Sequence, residues 1–258
     1  MTLLRNAWIA FGGAATVALL GVGVVGGRVW LSGSDEPSRQ TVRYSRIHAV
    51  TRVVVDFDSG HVLIAAGGDG RVDVERRSVD GRVLDLKEVW EGDRLRLSGV
   101  CRDGNGKRVT RCGARYVLRV PAAAEVEARA DSGEVTVAGL TGAVSWTSGS
   151  GDLDLRDVRG RVRATTNSGA VTAAALRSPS VDARTNTGDV TLAFAAAPGW
   201  AGATTNTGDV QMTVPPGRYR IGAATISGQR DVTIPEDAAS PSTLEARSNT
   251  GDVRLRAG

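Results

Sequence analysis

From Tyr44 to the C-terminus, apolar and polar residues alternate almost without interruption, the period of a half-buried β-strand. Val135/Val137 is followed by Val144/Trp146, Leu153/Leu155 by Val162/Ala164, and Val171/Ala173 by Val181/Ala183. Val190/Leu192 then precedes Ala201/Ala203, Val210/Met212 precedes Tyr219/Ile221, and Val232/Ile234, Leu244/Ala246 and Val253/Leu255 complete the series. The residues between them are Thr, Ser, Asp, Arg and Gln. Apolar residues nowhere recur at i, i+3, i+4 and i+7 in this stretch, so no amphipathic helix is predicted.

A short phrase punctuates the strands. Asp131-Ser132-Gly133-Glu134-Val135 returns as Gly149-Ser150-Gly151-Asp152-Leu153 and as Asn167-Ser168-Gly169-Ala170-Val171. It returns again as Asn-Thr-Gly-Asp-Val at 186–190, 206–210 and 249–253, with a degraded copy at Ile226-Ser227-Gly228 and an outlying one at Asp58-Ser59-Gly60. The turn glycines fall at 133, 151, 169, 188, 208, 228 and 251, a period of about 18 to 20 residues that stretches at the end. Two short strands per period, apolar inward, with a glycine turn at a fixed place, describe one coil of a parallel β-helix or β-solenoid. A lone coil cannot bury its own apolar face, whereas coils stacked about 4.8 Å apart can. An antiparallel sandwich or barrel also gives short strands at regular spacing. Recurrence of the phrase itself favours the solenoid. Stacking would place Val135, Leu153, Val171, Val190, Val210, Val232 and Val253 in one interior column, and Asn167, Asn186, Asn206 and Asn249 in an amide ladder.

Residues 44–121 alternate less regularly and are assigned to N-terminal coils or a cap, with 122–258 as the regular repeats; terminal repeats are commonly atypical. Upstream, Ala7 to Gly27 contains no charge, and Trp8 and Trp30 bracket it. That length can span a bilayer as a helix, so 7–30 is predicted to be a transmembrane anchor, after a short cytoplasmic segment at 1–6 and before a linker at 31–43. A cleaved signal peptide is the alternative, but an A-x-A-like site does not follow the apolar run.

Composition narrows the classes. Glycine is abundant (33 residues) and aromatics make up only 4%, so the core must be Val, Leu, Ile and Ala. The net charge of +4 comes from scattered arginines rather than a basic patch with stacking aromatics, which argues against nucleic acid. The two cysteines, Cys101 and Cys112, close a short loop and read as a disulfide, which persists in an oxidising compartment. The expected location is therefore the cell membrane, single-pass, with the C-terminal domain outside the cytoplasm. A zinc site would need two more ligands, and His48 and His61 offer no suitable spacing.

Other motifs dissolve in context. Gly21-Val22-Gly23-Val24-Val25-Gly26 matches a dinucleotide fingerprint but lies inside the apolar span, without the strand and helix that give the motif meaning. Gly23 and Gly27 form a G-x-x-x-G pair, which composition alone can produce. The acids after the turn glycines (Glu134, Asp152, Asp189, Asp209, Asp252) could be calcium ligands, a glycosidase pair, or solvated strand starts; their recurrence in equivalent surroundings favours the last. No catalytic, cofactor or metal residue is assigned. Trp146, where other coils carry Ala164, Ala183 and Ala203, reads as a core plug or as a candidate partner contact.

The run from IHAVTRVVVDFDSGHVLIAAG through YVLRVPAAAEVEARADSGEVTVAGLTGAVSWTSGSGDLDL to the TNTGDV copies resembles the bacterial putative-adhesin domain family, over nearly everything after residue 44. The resemblance implies a β-helical surface protein with no established catalytic residues and carries no residue roles. Together these readings predict a membrane-anchored, non-enzymatic binding or scaffolding module without a cofactor, contacting an unidentified protein or cell-envelope polymer through a solenoid face. The competing classes are an envelope accessory or sensor protein and a polysaccharide-active β-helix enzyme.

Overall fold

The computed structural model describes residues 40–258, apart from 48, 69, 79–82, 104 and 110–114. The predicted anchor at 7–30 and its flanking segments, up to residue 39 of the linker, lie outside the described residues. Among those residues there is no helix long and apolar enough to cross a membrane.

Strands β1 (Gln40–Ile47), β2 (Arg52–Phe57), β3 (His61–Ala66), β4 (Arg71–Ser78), β5 (Val83–Glu91), β6 (Arg94–Arg102) and β7 (Arg115–Val120) form the N-terminal part. The regular part runs through β8 (Glu125–Ser132), β9 (Glu134–Ala138), β10 (Val144–Ser150), β11 (Leu153–Arg156), β12 (Val162–Ser168), β13 (Val171–Leu176) and β14 (Ser180–Thr187). It ends with β15 (Val190–Phe194), β16 (Trp200–Thr207), β17 (Val210–Val214), β18 (Arg220–Ser227), β19 (Arg230–Val232), β20 (Thr243–Thr250) and β21 (Val253–Ala257). From β7 onward successive strands alternate between two sheets, and from β8 onward every strand pairs in parallel with its counterparts in neighbouring coils. The chain is a β-solenoid, as the repeated phrase predicts.

The stack departs from sequence order at both ends. β2 lies between β6 and β8, and β3 between β7 and β9, so the first coil is clasped by two later ones. At the other end β20 lies between β16 and β18, and β21 between β17 and β19. The last coil in sequence is thereby an inner rung, hydrogen-bonded on both sides. Antiparallel pairs occur only toward the N-terminal end among the described strands, where β4 joins β1 to β7 and β5 forms a hairpin with β6. The segment from Gly81 to Gly113, so far as it is described, extends a sheet rather than folding over it.

Inner columns explain the composition. Val62, Val135, Leu153, Val171, Val190, Val210 and Val253 are in register and buried, as are Val137, Leu155, Ala173, Leu192, Met212 and Leu255. Each such side chain contributes about 1.5–3 kcal/mol through burial, the smaller alanines less. Val232 is a correction to the predicted column. It pairs with Leu255, not Val253, and Arg230 occupies the Val253 rung, because the three-residue edge strand sits two positions out of the expected alignment.

Trp146 is a second correction. It is 1% exposed, in register between Ala128 and Ala164 in the opposite sheet's inner column. Small neighbours on both rungs make room for the indole, so it plugs the core and is not placed to touch a partner.

Candidate functional site

At each turn glycine the chain of one coil runs against the carbonyl of the next. A Cβ added to Gly188, whose φ is 138°, would lie 2.2 Å from the Gly169 oxygen. Those same carbonyls accept inward-facing hydroxyls: Thr185 Oγ1 donates to Gly169 at 3.0 Å, Thr205 Oγ1 to Gly188 at 2.9 Å, and Ser248 Oγ to Gly208 at 2.8 Å. Outside the corner, Asn249 Nδ2 donates to Asn206 Oδ1 at 3.0 Å, and Asn206 Nδ2 to Asn186 Oδ1, so the amide ladder forms across these three coils.

The turn acids have a structural role as well. Asp152 Oδ1 accepts the Ala170 N–H, Asp189 Oδ1 that of Asp209, Asp209 Oδ1 that of Asp252, and Asp252 Oδ1 that of Gln229, each at 2.8 Å. Each carboxylate ties its coil to the next. The Asp252 N–H, with Arg254 beside it, holds the Asp209 carboxyl below the usual range. Among the described residues no cluster of three metal-ligating groups forms.

One histidine gains a partner that the sequence separation concealed. His61 and Glu134 are cross-strand neighbours on β3 and β9, with Nδ1 and Oε2 3.1 Å apart on an exposed face. Arg115, Thr136 and Arg156 line the same shallow cavity. Thr136 is the one side-chain hydroxyl in its described lining. Two acids of the N-terminal part are also engaged. Thr51 donates its hydroxyl to Asp93, which holds that carboxyl down, and Asp103 accepts the N–H groups of Asn105 and Lys107 at 3.0 and 2.9 Å to shape a turn.

A concavity lies on the outer face of the sheet containing β2, β8, β10, β12, β14 and β16, a trough of about 690 Å³. Six adjacent strands contribute, so it runs across five rung spacings, roughly 24 Å at ~4.8 Å each. Side-chain size shapes it. Ala143 and Ser145 are low between Glu125/Glu127 and Arg161/Arg163, and Ser180 is low between Arg161 and Trp200. Trp200 precedes the inner residue Ala201, so strand alternation puts its half-buried indole on the outer face. There it lies across Gly202, where an added Cβ would be 2.4 Å from Cη2. A side chain at 202 would lift the ring away.

Most charges in the trough are paired. Arg52 Nη2 meets Glu125 Oε2 at 2.7 Å, Arg129 meets Glu127 at 2.7 Å, and Asp182 lies between Arg163 at 3.7 Å and Arg184 at 3.0 Å. Arg161 is exposed and makes no ion pair with a described residue. An aromatic plate, fixed guanidinium and carboxylate groups, and two serine hydroxyls can hold an extended polar chain. Cys101 is buried at the end of β6, no described cysteine is free, and Cys112 lies outside the described residues.

Residues 50–257 match the Toastrack DUF4097 family. No curated protein matches the chain. Among solved structures, a putative adhesin of Bacteroides fragilis NCTC 9343 aligns at 13% identity with a TM-score of 0.47, covering 86% of this chain and 99% of that one. A putative cell adhesion protein of Clostridium sporogenes ATCC 15579 aligns at 8% identity and a TM-score of 0.41, covering 86% and 100%. A putative adhesin of Parabacteroides merdae ATCC 43184 aligns at 10% identity and 0.40, covering 85% and 96%.

Proposed function

This chain belongs to the Toastrack DUF4097 family, and from that membership we propose that it is a membrane-anchored, extracytoplasmic, adhesin-like binding or scaffolding module that acts by contact and not by catalysis. The observation that carries the reading is the trough across six rungs, with Trp200 at one end and the Arg52–Glu125 pair at the other. A repeat stack offers such an extended rigid surface without ordering any loop. Support for a contact role comes from the acids. Four of the turn carboxylates are spent on joining coils, Asp93 accepts the Thr51 hydroxyl from a distant part of the chain, and Asp103 shapes a local turn. The uncharged stretch at 7–27 supports anchoring, and a link between Cys101 and Cys112, part of the same proposal, would fit an oxidising compartment.

The test has two arms on the full-length protein. Retention on isolated cell-envelope polymer should fall at least tenfold on Trp200→Ala. A glycosidase, esterase and peptidase panel should give no turnover; turnover abolished by changing Asp93 or Asp103 would overturn the contact reading.

A further inference from the structure

We infer that the trough binds an extended, uncharged polysaccharide segment, with Trp200 stacking on a sugar ring and Arg161 hydrogen-bonding its hydroxyls. This rests on the contact reading above and narrows it to one ligand class. Three features point there. The lining itself carries three charges of each sign, Arg52, Arg161 and Arg163 against Glu125, Glu127 and Asp182, and Arg129 and Arg184 beside it pair with Glu127 and Asp182. With Arg52, Arg163 and all three acids in ion pairs, the trough offers a polyanion one spare cation, too little to hold it by charge.

The second feature is the plate. Trp200 is fixed over Gly202, and in register between Ser180 and Thr243, so both flanking rungs at that position are small or short. A ring held in this way presents flat apolar area at no cost in side-chain freedom, suited to the C–H face of a sugar. The third is the alternation of donors and acceptors along the trough. Guanidinium groups donate in a planar fork and carboxylates accept in pairs, and Ser145 and Ser180 do both, a set that matches neighbouring sugar hydroxyls. An extended peptide would instead seek an unpaired strand edge for its backbone. The trough lies in the middle of a sheet whose six contributing strands are all paired on both sides.

The experiment is a titration of the full-length protein, followed by tryptophan fluorescence and affinity electrophoresis, with three probes: a neutral glucan or mannan, polygalacturonate, and unfolded casein. The expected result is binding of a neutral polymer that survives roughly 0.5 M salt, because little of it is Coulombic. Trp200→Ala should weaken it at least tenfold and Arg161→Ala several-fold. Trp200→Phe should restore much of the loss, and it guards against misfolding, as does the exposed position of Arg161. Binding of polygalacturonate or casein alone, or neutral-polymer binding indifferent to both Trp200→Ala and Arg161→Ala, would overturn the assignment. Retention on cell-envelope polymer that depends on Trp200, with no neutral probe bound, would sink this inference while leaving the contact reading standing.

Discussion

Replacing Gly188 with alanine tests whether the glycine corner sets the geometry of the stack. The perturbation is one methyl group. At φ 138° a residue other than glycine costs of order 1–3 kcal/mol. The new Cβ would stand 2.2 Å from the Gly169 oxygen, where carbon and oxygen normally stay about 3.3 Å apart. Roughly 1 Å must be found between coils that hydrogen bonds hold on both sides. Moving the corner strains the Gly188 N–H bond to Thr207 and the Thr205 hydroxyl bond to Gly188, at about 1 kcal/mol each. The total is about 3–5 kcal/mol, which should lower Tm by roughly 6–20 °C for a domain of this size. Two controls separate the causes. Gly106 has φ 78° and nothing within 4 Å of an added Cβ, so Gly106→Ala should lose about 1 kcal/mol. Gly222 has no such φ, and its nearest neighbour is 3.8 Å away, so Gly222→Ala should be neutral or mildly stabilising. Urea unfolding followed by tryptophan fluorescence gives the three midpoints. If Gly188→Ala unfolds within about 1 kcal/mol of Gly106→Ala, the close approach is not what requires glycine there.

Val190 is fully buried between Val171 and Val210, and Val190→Asp should cost several kcal/mol by burying an unpaired charge; an unchanged urea midpoint would refute that. The folded-state pKa of Asp209 is depressed, first by the Asp252 N–H, so its stabilisation is complete above the unfolded value and is lost as pH falls through the lower folded one. Stability should therefore decline in that acid window, and Asp209→Asn, which keeps an acceptor oxygen, should flatten the decline in midpoints measured against pH. Ala170 gives the Asp189 N–H no side-chain oxygen, so Ala170→Asn should extend the corner ladder and raise stability by about 0.5–1.5 kcal/mol; a lower midpoint would contradict the ladder's role. Cys101 and Cys112 should be recovered as one linked peptide pair by mass spectrometry without reduction, and two free thiols would end the disulfide proposal.

Much of the fold was legible because the inner columns and the corner are each constrained by one physical requirement. Stacking demands that Val190 and its counterparts be apolar, and the close approach demands glycine at 188, so both recur in the sequence at the coil period. Stack order was not legible. A parallel rung accepts any similar neighbour, so nothing in the Asn-Thr-Gly-Asp-Val copies at 206–210 and 249–253 says that they lie side by side with the Gly228 coil outside them. Val232 was misplaced for the same reason, since a short edge strand has only one neighbour to fix its register. The His61–Glu134 pair was hidden by a crossing of the stack that sequence distance does not report.

The two tryptophans break the repeat on opposite faces of the same sheet. Trp146 departs from its column of alanines on the inner side, where a departure must be absorbed by the core, and the neighbouring Ala128 and Ala164 absorb it. Trp200 departs from Ser180 and Thr243 on the outer side, where no packing requirement calls for an indole. The signal for it was present as parity: Ala201 and Ala203 fix the inner face, so residues 200 and 202 must face out, and a large ring beside glycine on that face has a seat made for it. Inner positions repeat because the stack requires it, and outer positions are free to vary. A binding site on such a molecule is therefore to be sought among outer-column residues that break the repeat, as Ala143, Arg161 and Trp200 do, rather than among the acids that keep it.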